Sequence, residues 1–313
     1  MNPRARGRWY SQGVGASLLL PKVPPLQTGP MGGSWRVDYN PHIESKCFWG
    51  VSPPQLGHFL LSNGNPVYPD NHFSDTTYRT LQTMGIALKH AHGVVILFNP
   101  GLGTMVYNLC LKPSVRRVLV FEENEIVAHI LRNNGACWPG FNDKVEVYHG
   151  YYNYLSRTWL SHSCGLQELP DFLYVQDYRC GASYDGTMDQ AQYMAELTGA
   201  RTVSWFKQEF SFMRWVTSWG LIGNMRGRRT KRDLFDRWCL EVGMVVPECT
   251  PEYVDLCRQA WDNRQGDTNA NIPHRPTLYE FGWGSHQGRC AGEGRQRRSC
   301  DPDTQRQHGG IFF

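Results

Sequence analysis

Asn99, Glu122, Gly150 and Asp177 each stand where an apolar run of this chain ends, and Asn99 opens the turn Asn99-Pro100-Gly101-Leu102-Gly103. These types in this order can hold a nucleoside. Gly101 and Gly103 let backbone approach a ligand with no Cβ in the way. A helix opening near Thr104 points its free N–H groups into the same crevice. Glu122 follows about twenty residues later, where a carboxylate can accept both hydroxyls of a ribose. Asp177, at a further strand end, faces the same crevice and can take a proton from a nucleophile or orient it. Each residue also has a plainer reading: a tight turn for the glycines, a solvated strand end for Glu122, a loop-capping acid for Asp177.

Positioning such residues takes a parallel sheet, because ligands of open α/β sheets sit beyond the carboxyl ends of the strands. The stretch from Val94 to Glu122 reads as strand, glycine turn, helix and second strand. The alternation continues with a helix over Asn124–Asn133 (Ile126, Val127, Ile130 and Leu131 inward), a strand over Lys144–His149 and a helix over Tyr151–Leu160. A strand over Phe172–Asp177, a helix over Met188–Leu197 and a strand over Thr202–Phe206 follow. Apolar strand runs separated by helical periods predict an α/β fold with a doubly wound, Rossmann-like sheet. Upstream, Ser74 is expected to cap a helix running to His92, in which Leu81, Met84, Leu88 and Ala91 recur at three and four residues. The Gly- and Pro-rich N-terminal region carries Asn63-Gly64 between short apolar pieces, a signature for a β-hairpin, here expected as a lid. The expected division is an N-terminal segment and lid over 1–73, a nucleoside-binding domain over 74–223, and a basic C-terminal extension with a mobile tail over 224–313.

Composition sets the limits. The 313 residues, 41% hydrophobic, suffice for one substantial core, and a net charge of +4 does not by itself imply a nucleic-acid partner. The longest early apolar run, Ala16 to Leu20, stops at Pro21, too short for a membrane span or a secretory core region. The expected location is therefore the cytoplasm, that of the host if the chain is viral. The ten cysteines include no C-x-x-C pair and predict reduced thiols rather than disulfides or a zinc site.

Four segments carry a family resemblance. LKPSVRRVLVFEENEIVAHIL resembles the second strand and helix of class I S-adenosylmethionine-dependent methyltransferases, within them the branch containing spermidine synthase. FSDTTYRTLQTMGIALKHAHG resembles the helix before the glycine loop in spermidine-synthase-like proteins, many of them phage-encoded. DKVEVYHGYYNYL resembles the third strand with its Gly-Asp-Ala segment, and PDFLYVQDYRCG the fourth strand with the active-site Asp. The resemblance runs from Ser74 to Gly186. It implies a class I methyltransferase-like fold and S-adenosylmethionine, or its decarboxylated form, as cofactor. Asn99, Gly101, Gly103, Glu122, Gly150 and Tyr151 would bind that cofactor, and Asp177 would be the catalytic residue, as general base or by positioning the nucleophile. Asp75 and Tyr78 resemble the substrate-side residues, although Asp75 equally reads as an acid in a first helical turn. Two departures stand out: the loop keeps only two glycines, and Tyr151 stands where the family often has an Asp for the adenine amino group.

The leading expectation is methyl transfer to an unidentified acceptor. Aminopropyl transfer is the alternative chemistry, and a non-catalytic binding or structural module that keeps the fold is the alternative from another class. The partners expected are the nucleoside cofactor, a protein docked on the C-terminal extension, and no membrane. The basic run Arg226, Arg228, Arg229, Lys231, Arg232 lies near Trp215, Trp219 and Trp238, a mixture that can bind nucleic acid. Protein docking through the tryptophans is the favoured reading, because no recognised nucleic-acid motif accompanies the run.

Overall fold

The computed structural model describes residues 21–41, 58–62, 72–76, 78–150, 155–176, 184–247 and 250–263. Four N-terminal strands, β1 (Gly29–Gly32), β2 (Trp35–Asn40), β3 (His58–Ser62) and β4 (His72–Asp75), form an antiparallel sheet in sequence order. The central sheet is parallel: β5 (Gly93–Phe98), β6 (Val115–Glu122), β7 (Val145–His149), β8 (Phe172–Val175) and β9 (Val203–Trp205), in the order β7-β6-β5-β8-β9. The chain winds outward from β5 in one direction and then returns to build the other side. That is the doubly wound, Rossmann-like arrangement, with its switch point between β5 and β8.

β5, β8 and the carboxyl half of β6 are apolar because both of their faces are covered. Val95, Leu97, Val118, Val120, Phe172 and Tyr174 share one core with α1 (Tyr78–His90), α2 (Thr104–Cys110), α3 (Glu125–Gly135) and the short α4 (Phe141–Lys144). Ile96, Phe98, Leu119, Phe121, Leu173, Val175 and Trp205 face the opposite core with α5 (Arg157–Ser163), α6 (Tyr184–Thr198), α7 (Gln208–Ser218), α8 (Arg228–Val242) and α9 (Pro251–Asp262). Alternating side chains of one strand thus enter two different cores. Residues 228–262, expected as an extension, form two helices within the second core. Phe235 and Trp238 of α8 and Tyr253 of α9 are essentially inaccessible. Residues 264–313, which include the expected mobile tail, lie outside the described residues.

Ser74 does not cap a helix. It lies in β4, paired with Leu61 of β3, and α1 opens four residues later at Tyr78. Strand pairing overrides the local capping signal, which is a weak determinant beside a ladder of backbone bonds. β3 and β4 are antiparallel neighbours, and the Asn63-Gly64 turn expected between them lies outside the described residues.

Side chains, rather than further strands, tie the segment before β1 to the helices. The Lys22 N–H donates to Asn108 Oδ1 and the Asn108 Nδ2 donates to Lys22 O, both at 2.8 Å; the Gln27 N–H donates to Asn134 Oδ1, and Trp138 Nε1 to Pro25 O. Asn108→Ala is expected to lose about 1–3 kcal/mol by stranding both groups of Lys22. Limited proteolysis checks this through faster cleavage within residues 21–28.

Candidate functional site

The carboxyl ends of β5, β6 and β7 lie side by side, since Phe98 pairs with Phe121 and Glu122 with His149. Phe98, Phe121 and Tyr148 stack across the three strands with ring centroids 5.3 Å apart, and Trp159 of α5 meets Phe121 and Tyr148 edge-on. Aromatic cross-strand pairs of this kind hold register and stiffen the strand ends. Tyr148 is also fixed by its hydroxyl, which donates to Glu146 Oε2 at 2.6 Å; burial, followed by that bond, pushes its pKa up.

Above this floor, Asn99 adopts a left-handed conformation (φ 49°) and its Oδ1 accepts the Glu123 N–H at 3.2 Å, bridging the ends of β5 and β6. Glu122 is 1% exposed, and its Oε1 accepts the Asn124 N–H at 3.0 Å. Asn124 in turn caps α3, its Oδ1 accepting from Ile126 N and Val127 N. The Gly150 N–H donates to Glu122 O, and the position of a Cβ on Gly150 (φ 150°) meets nothing within 4 Å among the described residues. Asn99, Glu122 and Gly150, three of the residues singled out by sequence, therefore converge on one edge of the sheet.

The glycine turn is closed in this conformation. Asn99 through Gly103 are all buried. The Leu102 N–H donates to Ser74 Oγ of β4 at 3.2 Å, and the Gly103 N–H to Pro100 O. Leu102 itself packs with Trp35, Val37, Leu61, Val127 and Ile130, so the N-terminal sheet sits directly on the turn and on α3. A Cβ on Gly103 (φ 77°) would lie 2.5 Å from Leu131 Cδ1 and 2.7 Å from Trp138 Cη2. Gly103 thus serves close helix packing. The Thr104 hydroxyl, next along the chain, is buried and makes no hydrogen bond among the described residues.

Asp177 and Tyr151 lie outside the described residues, as do the side chains of Asp75 and Tyr78; the backbone places Asp75 opposite Leu60 at the end of β4 and Tyr78 at the start of α1. Sequence reasoning missed Ser74 as a contact of the turn, because a bond between residues 28 apart leaves no local pattern.

The basic run is largely neutralised. Arg228 pairs with Glu252 at 2.9 Å and Lys231 with Asp255 at 2.6 Å, while Arg229 and Arg232 lie within 4.0 Å of Asp233 and Asp236 on the same helix. Trp215 and Trp238, expected at a docking surface, are buried at 2% and 1%; Trp219 is half exposed and stacks under Arg237. Among the described residues, no helix is long and apolar enough to cross a membrane, and no cluster of three or more His, Cys, Asp or Glu suits a metal.

No protein-family model matches the chain, and no curated protein matches it. Solved structures that match include the methyltransferase domain of bacterial CtHen1-CN, with 14% identity, a TM-score of 0.30, and coverage of 48% of this chain and 74% of that one. The fold assignment rests on strand order and register and not on that likeness.

Proposed function

We propose that the chain is a class I methyltransferase-like transferase that binds S-adenosylmethionine over the carboxyl ends of β5, β6 and β7. The observation that supports this reading is the meeting of Asn99, Glu122 and Gly150 at the strand ends beside the switch point of a doubly wound sheet. The residues present fit the nucleoside half of such a cofactor. Glu122 supplies a desolvated carboxylate for ribose hydroxyls; among the described residues, Gly150 leaves an open approach and the buried Thr104 hydroxyl beside the turn has no partner. When bound, the cofactor supplies an electrophilic methyl group on a sulfonium. In this reading Glu122 orients the ribose, Asn99 holds the β5 and β6 ends in place, and Tyr151 lies against the base. Asp177 orients the acceptor or takes its proton, while Asp75 and Tyr78 form the acceptor side. The acceptor is unassigned. The finer assignment to the spermidine-synthase branch would make the transferred group aminopropyl.

A second reading, a non-catalytic module that keeps the fold, is favoured by the closed turn, where Ser74 already occupies the Leu102 N–H.

Titration calorimetry with S-adenosylhomocysteine separates the two. Binding to the wild-type chain is expected, and Glu122→Gln should weaken it by about 1.5–3 kcal/mol for each charge-assisted hydrogen bond lost, roughly tenfold or more. Equal unfolding midpoints for the two proteins would attribute the loss to the ligand contact. Absence of binding to the wild type sinks the cofactor reading and leaves the non-catalytic one. Turnover with putrescine and decarboxylated cofactor, absent with methyl acceptors, would assign aminopropyl transfer, and Asp177→Asn should remove either turnover.

A further inference from the structure

Glu209 lies at the start of α7, just beyond the carboxyl end of β9, and is completely buried. Neither carboxyl oxygen has a hydrogen-bond partner among the described residues. Its surroundings are those of a protein core. Gln208, beside it, is committed elsewhere: it accepts from Ser204 Oγ and its Nε2 donates to the Tyr253 hydroxyl at 2.9 Å. Phe210, on its other side, packs on Trp261 of α9.

The ionisable groups that bear on Glu209 come from α9: the Tyr253 hydroxyl and the Cys257 thiol, both fully buried and both with pKa values raised, first by burial and further by the Glu209 charge. Asp255 adds negative charge near Cys257 and is itself paired to Lys231 of α8. Arg214, farther along α7, does not offset Glu209. Nor does any charged group on α6, α8 or the turn over Leu221–Asn224, the other elements packed against α7, among the described residues. A carboxylate here would have no counter-charge among the described residues, and Tyr253 and Cys257 could only add negative charge by ionising. Isolated buried charge of this kind is avoided by holding the proton.

We propose that docking of α9 on α7 is coupled to a proton on Glu209, so that ionisation of this carboxyl loosens α9 and bares the Cys257 thiol. The inference is independent of the cofactor reading.

Burial raises the Glu209 carboxyl to about 8 in the folded chain, against an ordinary value of 4.5, with its own backbone N–H opposing the shift. For a group shifted in this direction, its contribution to the docked state is fully present below about pH 4.5. That contribution is lost progressively as the pH rises through about 8, after which the loss is constant. Within that window an opening that hydrates Glu209 becomes up to about tenfold more populated for each pH unit. The consequence is a helix whose attachment weakens across the neutral range while the sheet stays folded.

The test is alkylation of the full-length chain with iodoacetamide, read peptide by peptide in a mass spectrometer. Cys137 is exposed and serves as the internal reference for the pH dependence of thiolate chemistry. The Cys257 rate relative to Cys137 is expected to rise at least about tenfold between pH 6 and pH 8 in the wild type, and to stay flat in Glu209→Gln. A flat ratio in the wild type overturns the proposal, as does an equal rise in both proteins. Should Glu209→Gln fail to fold, amide exchange over residues 251–262 of the wild type decides, after correction for the chemical exchange rate. Protection that falls from pH 6 to pH 8 supports the proposal, and unchanged protection overturns it.

Discussion

Trp238→Ala is expected to destabilise the chain by about 3–5 kcal/mol, the range for deleting a large aromatic side chain from a packed core. Trp238 is 1% exposed and touches Trp205 of β9, Phe212 of α7 and Phe235 of α8, with ring centroids 5.2–5.6 Å away. Phe235 carries the cluster on to Tyr253 of α9. Removing the indole therefore opens a cavity between the sheet and three helices, which can collapse only by moving α8. No hydrogen bond offsets or enlarges the loss, since the indole N–H is buried without an acceptor among the described residues. Against a typical total stability of about 5–15 kcal/mol, the change is severe. Denaturant unfolding measures it. Arg229→Ala, at a side chain 96% exposed, is the control and should stay within about 0.5 kcal/mol. A Trp238→Ala chain with wild-type stability and a lost partner would return α8 to the role of a docking surface.

That role was the reading the sequence favoured, and the reason it misleads is physical. Basic residues beside tryptophans look the same whether the rings face a partner or the chain's own core. Only the helical phase separates them, and on α8 the phase turns Leu234, Phe235, Trp238 and Val242 inward while Arg229 and Arg232 point out. The α9 helix carries its own start signal, Thr250 as cap with Pro251 and Glu252 in the first turn, followed by Tyr253, Val254, Leu256, Cys257, Ala260 and Trp261 at helical spacing. That start is legible in the sequence, but which face of the helix meets the core is set by the finished fold. The parallel strands are legible from local sequence alone. β5, β8 and the end of β6 are apolar runs bounded by turn residues, and Asn124 caps α3 as its type and position require.

The candidate site was legible in its order but not in its closure. Strand ends are properties of local sequence, so Asn99, Glu122 and Gly150 could be placed. The Ser74 hydroxyl on Leu102 and the Asn108 clamp on Lys22 join residues 28 and 86 apart, and each depends on the finished fold. The glycines show the same limit. A glycine needed for ligand approach and one needed for helix packing are identical in sequence.

Gly103→Ala distinguishes those two roles, and the expected result is a loss of stability of about 2–5 kcal/mol whether or not ligand is present. Two costs add. A residue with a Cβ in the left-handed region loses about 1–2 kcal/mol, and Gly103 has φ 77°. Overpacking adds about 1–3 kcal/mol, because the new methyl would press on Leu131 Cδ1 and on the Trp138 ring. Trp138 has little room to yield: its ring meets Tyr107 and Phe141 edge-on, and its Nε1 donates to Pro25 O at 3.1 Å. Strain at Gly103 should therefore spread to the segment before β1, and cleavage within residues 21–28 should quicken along with the fall in unfolding midpoint. At Gly150 no side-chain clash is expected among the described residues, so Gly150→Ala should lower stability less and S-adenosylhomocysteine binding more. The pair of variants is read in one experiment, thermal unfolding with and without the nucleoside. If Gly103→Ala keeps the wild-type midpoint without ligand and loses only the ligand-induced rise, Gly103 faces the ligand, and the packing role assigned to it is wrong.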